Sequence, residues 1–76
     1  MSELVILKRI FEDVEKERDV LEQHIKHALE EKNKQFALIL LTIDNMFSSI
    51  MFAIDDYVRF YYKLEQMKEK GGRNAD

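Results

Sequence analysis

Cysteine and proline are absent from this chain of 76 residues, and glycine occurs only at Gly71 and Gly72. Without cysteine the chain forms no disulfide and no thiolate metal site, a composition that suits a reducing compartment. Without internal proline or glycine nothing between residues 3 and 70 breaks a helix, and the abundant Leu, Glu, Lys, Ile and Gln favour one. We therefore predict a single small all-α domain.

Charge of one sign is also missing, because 12 Lys and Arg are interleaved with 15 Asp and Glu for a net charge of −3. Nucleic-acid binding needs clustered positive charge, so nucleic acid is not expected as a partner. The N-terminal segment lacks the charge pattern and the apolar core of a secretory signal. We expect an intracellular protein, cytoplasmic or cytoskeletal.

Two seams of residues spaced by three and four are present, a pattern typical of packed helices and coiled coils. The first seam is interrupted by one charged residue, Arg18, and ends at Lys32. The second seam contains no charged residue. The two registers differ, because Lys32 to Phe36 is a second consecutive step of four. The first seam comprises Leu4, Leu7, Phe11, Val14, Arg18, Leu21, Ile25, Ala28 and Lys32, and the second Phe36, Ile39, Ile43, Met46, Ile50, Ala53, Tyr57, Phe60, Leu64 and Met67.

The register changes inside the polar segment EEKNKQ, residues 30–35. Either the chain turns there and forms an α-helical hairpin, or one long helix continues through a local unwinding of a coiled coil. Asn33 tolerates the left-handed conformation that a turn needs, but no glycine or proline in this segment adds to the signal for a bend. We predict one helical module over residues 1–70, capped by Ser2 and ended by Gly71, and a flexible tail over residues 71–76.

The segment 36–62 contains 19 apolar residues out of 27. The charged first half of the chain is too polar to cover so much apolar surface, so we expect a non-catalytic module that completes a helical bundle by association with itself or with another helical protein. The predicted partner interface is Phe36, Ile39, Ile43, Met46, Phe47, Ile50, Tyr57, Phe60, Tyr61, Leu64 and Met67.

Three polar residues stand out against these apolar seams, namely Arg18, Asp44 and Asn45. Asp44 and Asn45 either begin a solvent-exposed polar stripe or form a buried polar pair that fixes register and partner identity. Arg18 could likewise fix register and partner identity, since it could pair with an acid such as Asp44 across a hairpin or between chains.

A membrane-associated protein is the alternative function, with residues 36–54 inserted in a bilayer or lying on it. Fourteen of these 19 residues are apolar, close to the length of a span. Asp44 at the centre costs about 3 kcal/mol on insertion scales, which argues against a span.

Reactive chemistry has little support in the sequence. His24, His27 and Glu31 have a spacing that could place three metal ligands on one helix face, but no second ligand set accompanies them. No nucleophile lies near either histidine, and no glycine-rich phosphate loop is present. We expect no metal, no cofactor and no enzymatic activity.

The segment KNKQFALILLTIDNMFSSI, residues 32–50, resembles ciliary and flagellar coiled-coil proteins of the modifier-of-inner-arms type. In that family a charged coiled coil leads into an apolar helix with an Ile-x-Asn-Leu-Tyr/Phe centre, matched here by Ile43, Asn45, Met46 and Phe47. Met46 replaces the usual leucine, and Ile50 stands where cysteine is common. The resemblance covers about 20 of the 76 residues and implies an elongated scaffold component of the axoneme.

Overall fold

Two helices of unequal length pack side by side and form an antiparallel hairpin, α1 at Glu3–Glu30 and α2 at Lys34–Ala75. The structure, a computed structural model, describes the backbone of residues 2–75 and the side chains of residues 2–69. The hairpin measures 67 × 21 × 12 Å, and residues 2–75 contain no strand. The all-α prediction is confirmed, and of its two alternatives the helical hairpin is the one observed.

The predicted start of α1 is confirmed. Ser2 has an extended backbone, and the backbone N–H of Val5 donates to its side-chain oxygen at 3.3 Å. Glu3 places an acid in the first turn, where the positive end of the helix dipole favours it.

The turn is a Schellman motif built on Lys32, whose φ of 60° places it in the left-handed region. The N–H of Asn33 donates to the carbonyl of Ala28 at 2.8 Å, and the N–H of Lys32 donates to that of Leu29 at 3.0 Å. The turn therefore lies within the segment where the sequence allowed one, and its left-handed residue is Lys32 and not Asn33. Asn33 is needed elsewhere, because its side-chain oxygen accepts from the N–H of Phe36 at 3.2 Å and caps α2.

The described backbone of α2 stays helical through Ala75, past the point where we predicted that Gly71 would end it. Glycine in a helix is unfavourable by only about 1 kcal/mol relative to alanine, so two glycines do not by themselves stop a helix. The flexibility of residues 71–76 stays a prediction.

The hairpin core follows the first predicted seam but not the second. Each α1 seam residue from Leu4 to Ala28 is buried or half-buried, including Arg18. In α2, the residues that are buried or half-buried at heptad spacing each lie one position after a residue of the second seam. These inward-facing residues are Ala37, Leu40, Asp44, Phe47, Met51, Ile54 and Val58.

Among residues 2–69, only Ala28, Ala37, Leu40 and Ile54 are buried, at 2–8% exposure. The two alanines let the helices approach closely beside the turn, whereas the larger side chains of the seam are covered from one direction only. Two helices cannot enclose a core, so most of the apolar surface of α2 stays in contact with solvent.

Candidate helix-docking surface

The apolar seam predicted for α2 forms a continuous exposed surface, which we call the outer face. Eight of its ten residues are large side chains with 42–65% exposure, while Ile43 is half-buried and Ala53 is small. No charged residue lies on it. The outer face comprises Phe36, Ile39, Ile43, Met46, Ile50, Ala53, Tyr57, Phe60, Leu64 and Met67.

The position of the outer face follows from helix geometry. Most of its residues come directly before an inward-facing residue in the sequence, and successive residues of a helix are rotated by about 100° around its axis. The outer face therefore lies beside the α1 contact and not opposite it. The remaining side of α2 is mixed. Its exposed polar residues are Asn45, Ser49, Asp55, Arg59 and Lys63, and Leu38, Leu41 and Phe52 are exposed among them.

Helix α1 adds a small apolar margin to the outer face. Ile6 and Leu7 of α1, with Ala53 and Tyr57 of α2, line a shallow groove along one side of the hairpin. Ile6 is 46% exposed. Ile6 was not among the predicted interface residues, although its position one residue before a seam residue was a usable signal.

The structure separates the eleven predicted interface residues into two groups. Phe47 is half-buried and has the spacing of the α1 contact, so it is not part of the exposed surface. Tyr61 lies near the N-terminus of α1 and packs edge-on against Tyr62, with ring centroids 5.8 Å apart. The other nine all belong to the outer face. Their contact with a partner stays a prediction.

Arg18 and Asp44 form the ion pair that we considered across a hairpin. Arg18 Nε lies 3.0 Å from Asp44 Oδ1, and Nη2 lies 3.3 Å from Oδ2, a two-point contact. The third guanidinium nitrogen, Nη1, donates to Met51 Sδ at 3.7 Å. The carboxylate raises the pKa of Arg18, chiefly through the hydrogen bond. Asn45 is exposed and lies outside this contact.

A second polar contact joins the helices at the opposite end from the turn. The hydroxyl of Tyr57 donates to Glu3 Oε2 at 3.2 Å. This hydrogen bond, followed by the charge of Glu3, raises the pKa of Tyr57. Tyr57 thus contacts α1 through its hydroxyl, while the residue as a whole remains 44% exposed on the outer face.

The histidine pair does not assemble a metal site in the described part of the chain. His27 Nε2 lies 3.1 Å from Glu31 Oε1, and both side chains are well exposed. No group of three or more His, Asp or Glu side chains within residues 2–69 is placed to hold an ion.

The length and composition of α2 also fit those of a membrane span. Within Lys34–Glu69 an 18-residue window has a mean hydropathy of 1.8 and is only 17% buried. Core helices of soluble proteins meet the same criteria, so this finding alone does not distinguish a bilayer from a protein partner.

No family model, no curated protein and no solved structure matches this chain.

Proposed function

We propose that this protein is a non-catalytic interaction module whose outer face on α2 packs against partner helices. The observation that carries this proposal is the exposure of the outer face, a stripe of large apolar residues that runs from Phe36 to Met67 without a charge. Soluble monomers seldom leave contiguous apolar patches larger than a few hundred Å² in water.

The composition of the outer face supports a protein partner. It contains three aromatic residues and two methionines, types that are enriched at the centres of protein interfaces. Its heptad spacing fits a helix, because the side chains of a second helix can fill the spaces between positions three and four residues apart. The charged surface of α1 keeps the assembly soluble.

Photo-cross-linking in cells that make the protein tests this proposal. A photoreactive phenylalanine derivative is placed at Met46 or Phe60 on the outer face and, as matched controls, at Phe52 or Arg59 on the other side of α2. We expect protein adducts from the first pair and few from the second. Lipid adducts alone, or equal protein adducts from all four positions, would contradict the proposal.

Bilayer association is a second candidate, favoured by the apolar and poorly buried window in α2. The ion pair of Arg18 with Asp44 makes a full span unfavourable, so the helix would lie on the bilayer through its outer face. Flotation with vesicles of phosphatidylcholine and phosphatidylglycerol tests this candidate. Flotation that Ile50→Glu abolishes and Phe52→Glu preserves would support it, and no flotation would reject it.

The cellular setting is proposed on the family resemblance alone. Residues 32–50, which resemble ciliary coiled-coil proteins, form the turn and the first part of α2. We propose that the module is a scaffold component of a ciliary axoneme. Imaging a tagged protein in ciliated cells tests this, and a signal absent from cilia would contradict it.

A further inference from the structure

We propose that the partner of the outer face is the outer face of a second copy of this chain, packed antiparallel about a two-fold axis beside Ile50 and Ala53. The product is a four-helix assembly with the two α2 helices at its centre. This inference rests on the proposed function and adds the partner, the direction of packing and the register.

The order of residues along the outer face supports antiparallel self-pairing. Its spacing reads the same from either end, so two copies in opposite directions align apolar residues in every layer, as two parallel copies also would. At the centre Ala53 lies opposite a larger Ile50, so a small and a large side chain meet in both central layers. The five types of layer pair Phe36 with Met67, Ile39 with Leu64, Ile43 with Phe60, Met46 with Tyr57, and Ile50 with Ala53.

Charges beside the outer face favour the same direction. In an antiparallel pair, the residues along one edge of the outer face approach the same edge of the other helix, which places Asp56 near Ser49 and Lys63 near Thr42. No like charges meet there. A parallel pair would place Lys63 beside Lys68 of the other copy and stack Ala53 on Ala53, leaving a gap at mid-length.

The area available is enough for a stable dimer. A whole aromatic side chain can bury roughly 150–250 Å², so a half-exposed large side chain offers at most roughly 75–125 Å². The eight large exposed residues of the outer face then contribute at most roughly 600–1,000 Å² per copy, a range that includes the figure of about 800 Å² per partner in standard interfaces. Ile6 lies beside Ala53 and extends this area near the two-fold axis.

The polar part of α1 limits what else can be covered. Ile6 and Ile10 share one flank of α1 with Asp13, Glu17 and His24, all exposed. A partner that covered the whole side of the hairpin would bury these acids without countercharges, at a large desolvation penalty. Two α2 helices packed on each other leave most of this flank in water.

Solution mass is the first measurement. The full chain should sediment at about 18 kDa, twice its mass of 9.1 kDa, and dissociate on dilution. Ile50→Glu places two acids at the two-fold axis and should weaken the dimer at least roughly 100-fold. Phe52→Glu, at a 69% exposed position outside the outer face, should leave the dimer intact. Circular dichroism of both variants verifies that the helices still form.

Distances between spin labels then determine direction and register. The chain has no native cysteine, so Lys63→Cys and Ser49→Cys, both outside the outer face, each introduce one label per copy. With a rise of 1.5 Å per residue, the antiparallel register separates the two Lys63 positions by about 35 Å along the axis and the two Ser49 positions by only about 8 Å. A parallel dimer would bring both pairs within about 20 Å.

Each outcome decides the proposal. A dimer with the long distance at Lys63 and the short one at Ser49 supports it, whereas two short distances overturn it. A mass of 9.1 kDa at all concentrations also overturns it. If the outer face nevertheless cross-links to a different protein in cells, the proposed function stands and only the second copy is rejected.

Discussion

Replacing Lys32 by glycine should stabilise the hairpin. Lys32 has a φ of 60°, a conformation that costs an L-residue roughly 1–2 kcal/mol and glycine almost nothing. The greater freedom of glycine in the unfolded chain offsets about 0.5–1 kcal/mol of that gain. We expect the free energy of unfolding to rise by about 0.5–1 kcal/mol, which for a domain of this size raises Tm by about 2–8 °C.

Thermal unfolding followed by circular dichroism at fixed protein concentration measures this change, since Tm depends on concentration in an associating protein. Lys32→Ala controls for loss of the lysine side chain and should give no such gain, because alanine keeps the Cβ that disfavours the left-handed region. Gln23→Gly controls for glycine within a helix and should be destabilising by about 1 kcal/mol. If Lys32→Gly lowered Tm as Gln23→Gly does, residues 30–35 would be helical and the turn would be refuted.

Three further predictions concern the packing of the helices. Leu40→Ala should lower the free energy of unfolding by about 2–3 kcal/mol at any protein concentration, because Leu40 is 7% exposed. Ile39→Ala, at a 52% exposed position, should lower it only while the protein is associated, so its effect should disappear on dilution in denaturant titrations. Equal effects of the two variants would refute the assigned register. Arg18→Leu and Asp44→Leu should each destabilise the hairpin more than the double variant does, because each single change leaves a half-buried charge without its partner. If the two single changes added up in the free energy of unfolding of the double variant, this prediction would be contradicted. The pKa of Tyr57 is raised in the folded chain. The stability that its hydrogen bond contributes is therefore complete below the pKa of an unfolded tyrosine and is lost as pH rises through the pKa of the folded one. Tyr57→Phe should accordingly lose less stability than the native chain when unfolding is measured at increasingly alkaline pH.

The sequence predicts α1 well because α1 has one dominant signal, whereas the turn was only one of two alternatives for residues 30–35, which contain no glycine or proline. The apolar seam from Leu4 to Ala28 is the only long apolar seam of α1, and a helix beside another helix must bury the seam that it has. Ser2 is likewise the only capping residue before α1. Lys32 could not be chosen as the left-handed residue from local preferences, because its place depends on Asn33 being used to cap α2.

Periodicity alone could not identify the contact side of α2, because α2 has two apolar seams offset by one residue, although the pairing of Arg18 with Asp44 across a hairpin was one of the alternatives. Periodicity favours the one without charges, which became the outer face. The seam that contacts α1 contains Asp44, a residue that counts against burial until Arg18 is known to lie opposite it. Each charge interrupts its own seam and the two interruptions meet, so long-range complementarity, and not the pattern of either helix alone, selects the contact side.

The unequal lengths of the helices have a consequence for how this protein could be studied. Residues 63–69 extend beyond the last α1 neighbours of Tyr61 and Tyr62 and are all exposed. Helical segments shorter than about 12–15 residues are marginal in water without packing. The amide hydrogens of residues 63–69 should therefore exchange faster than those of the packed part of an isolated hairpin. Their exchange should slow down as the outer face becomes occupied, so their exchange rate would report assembly without a label.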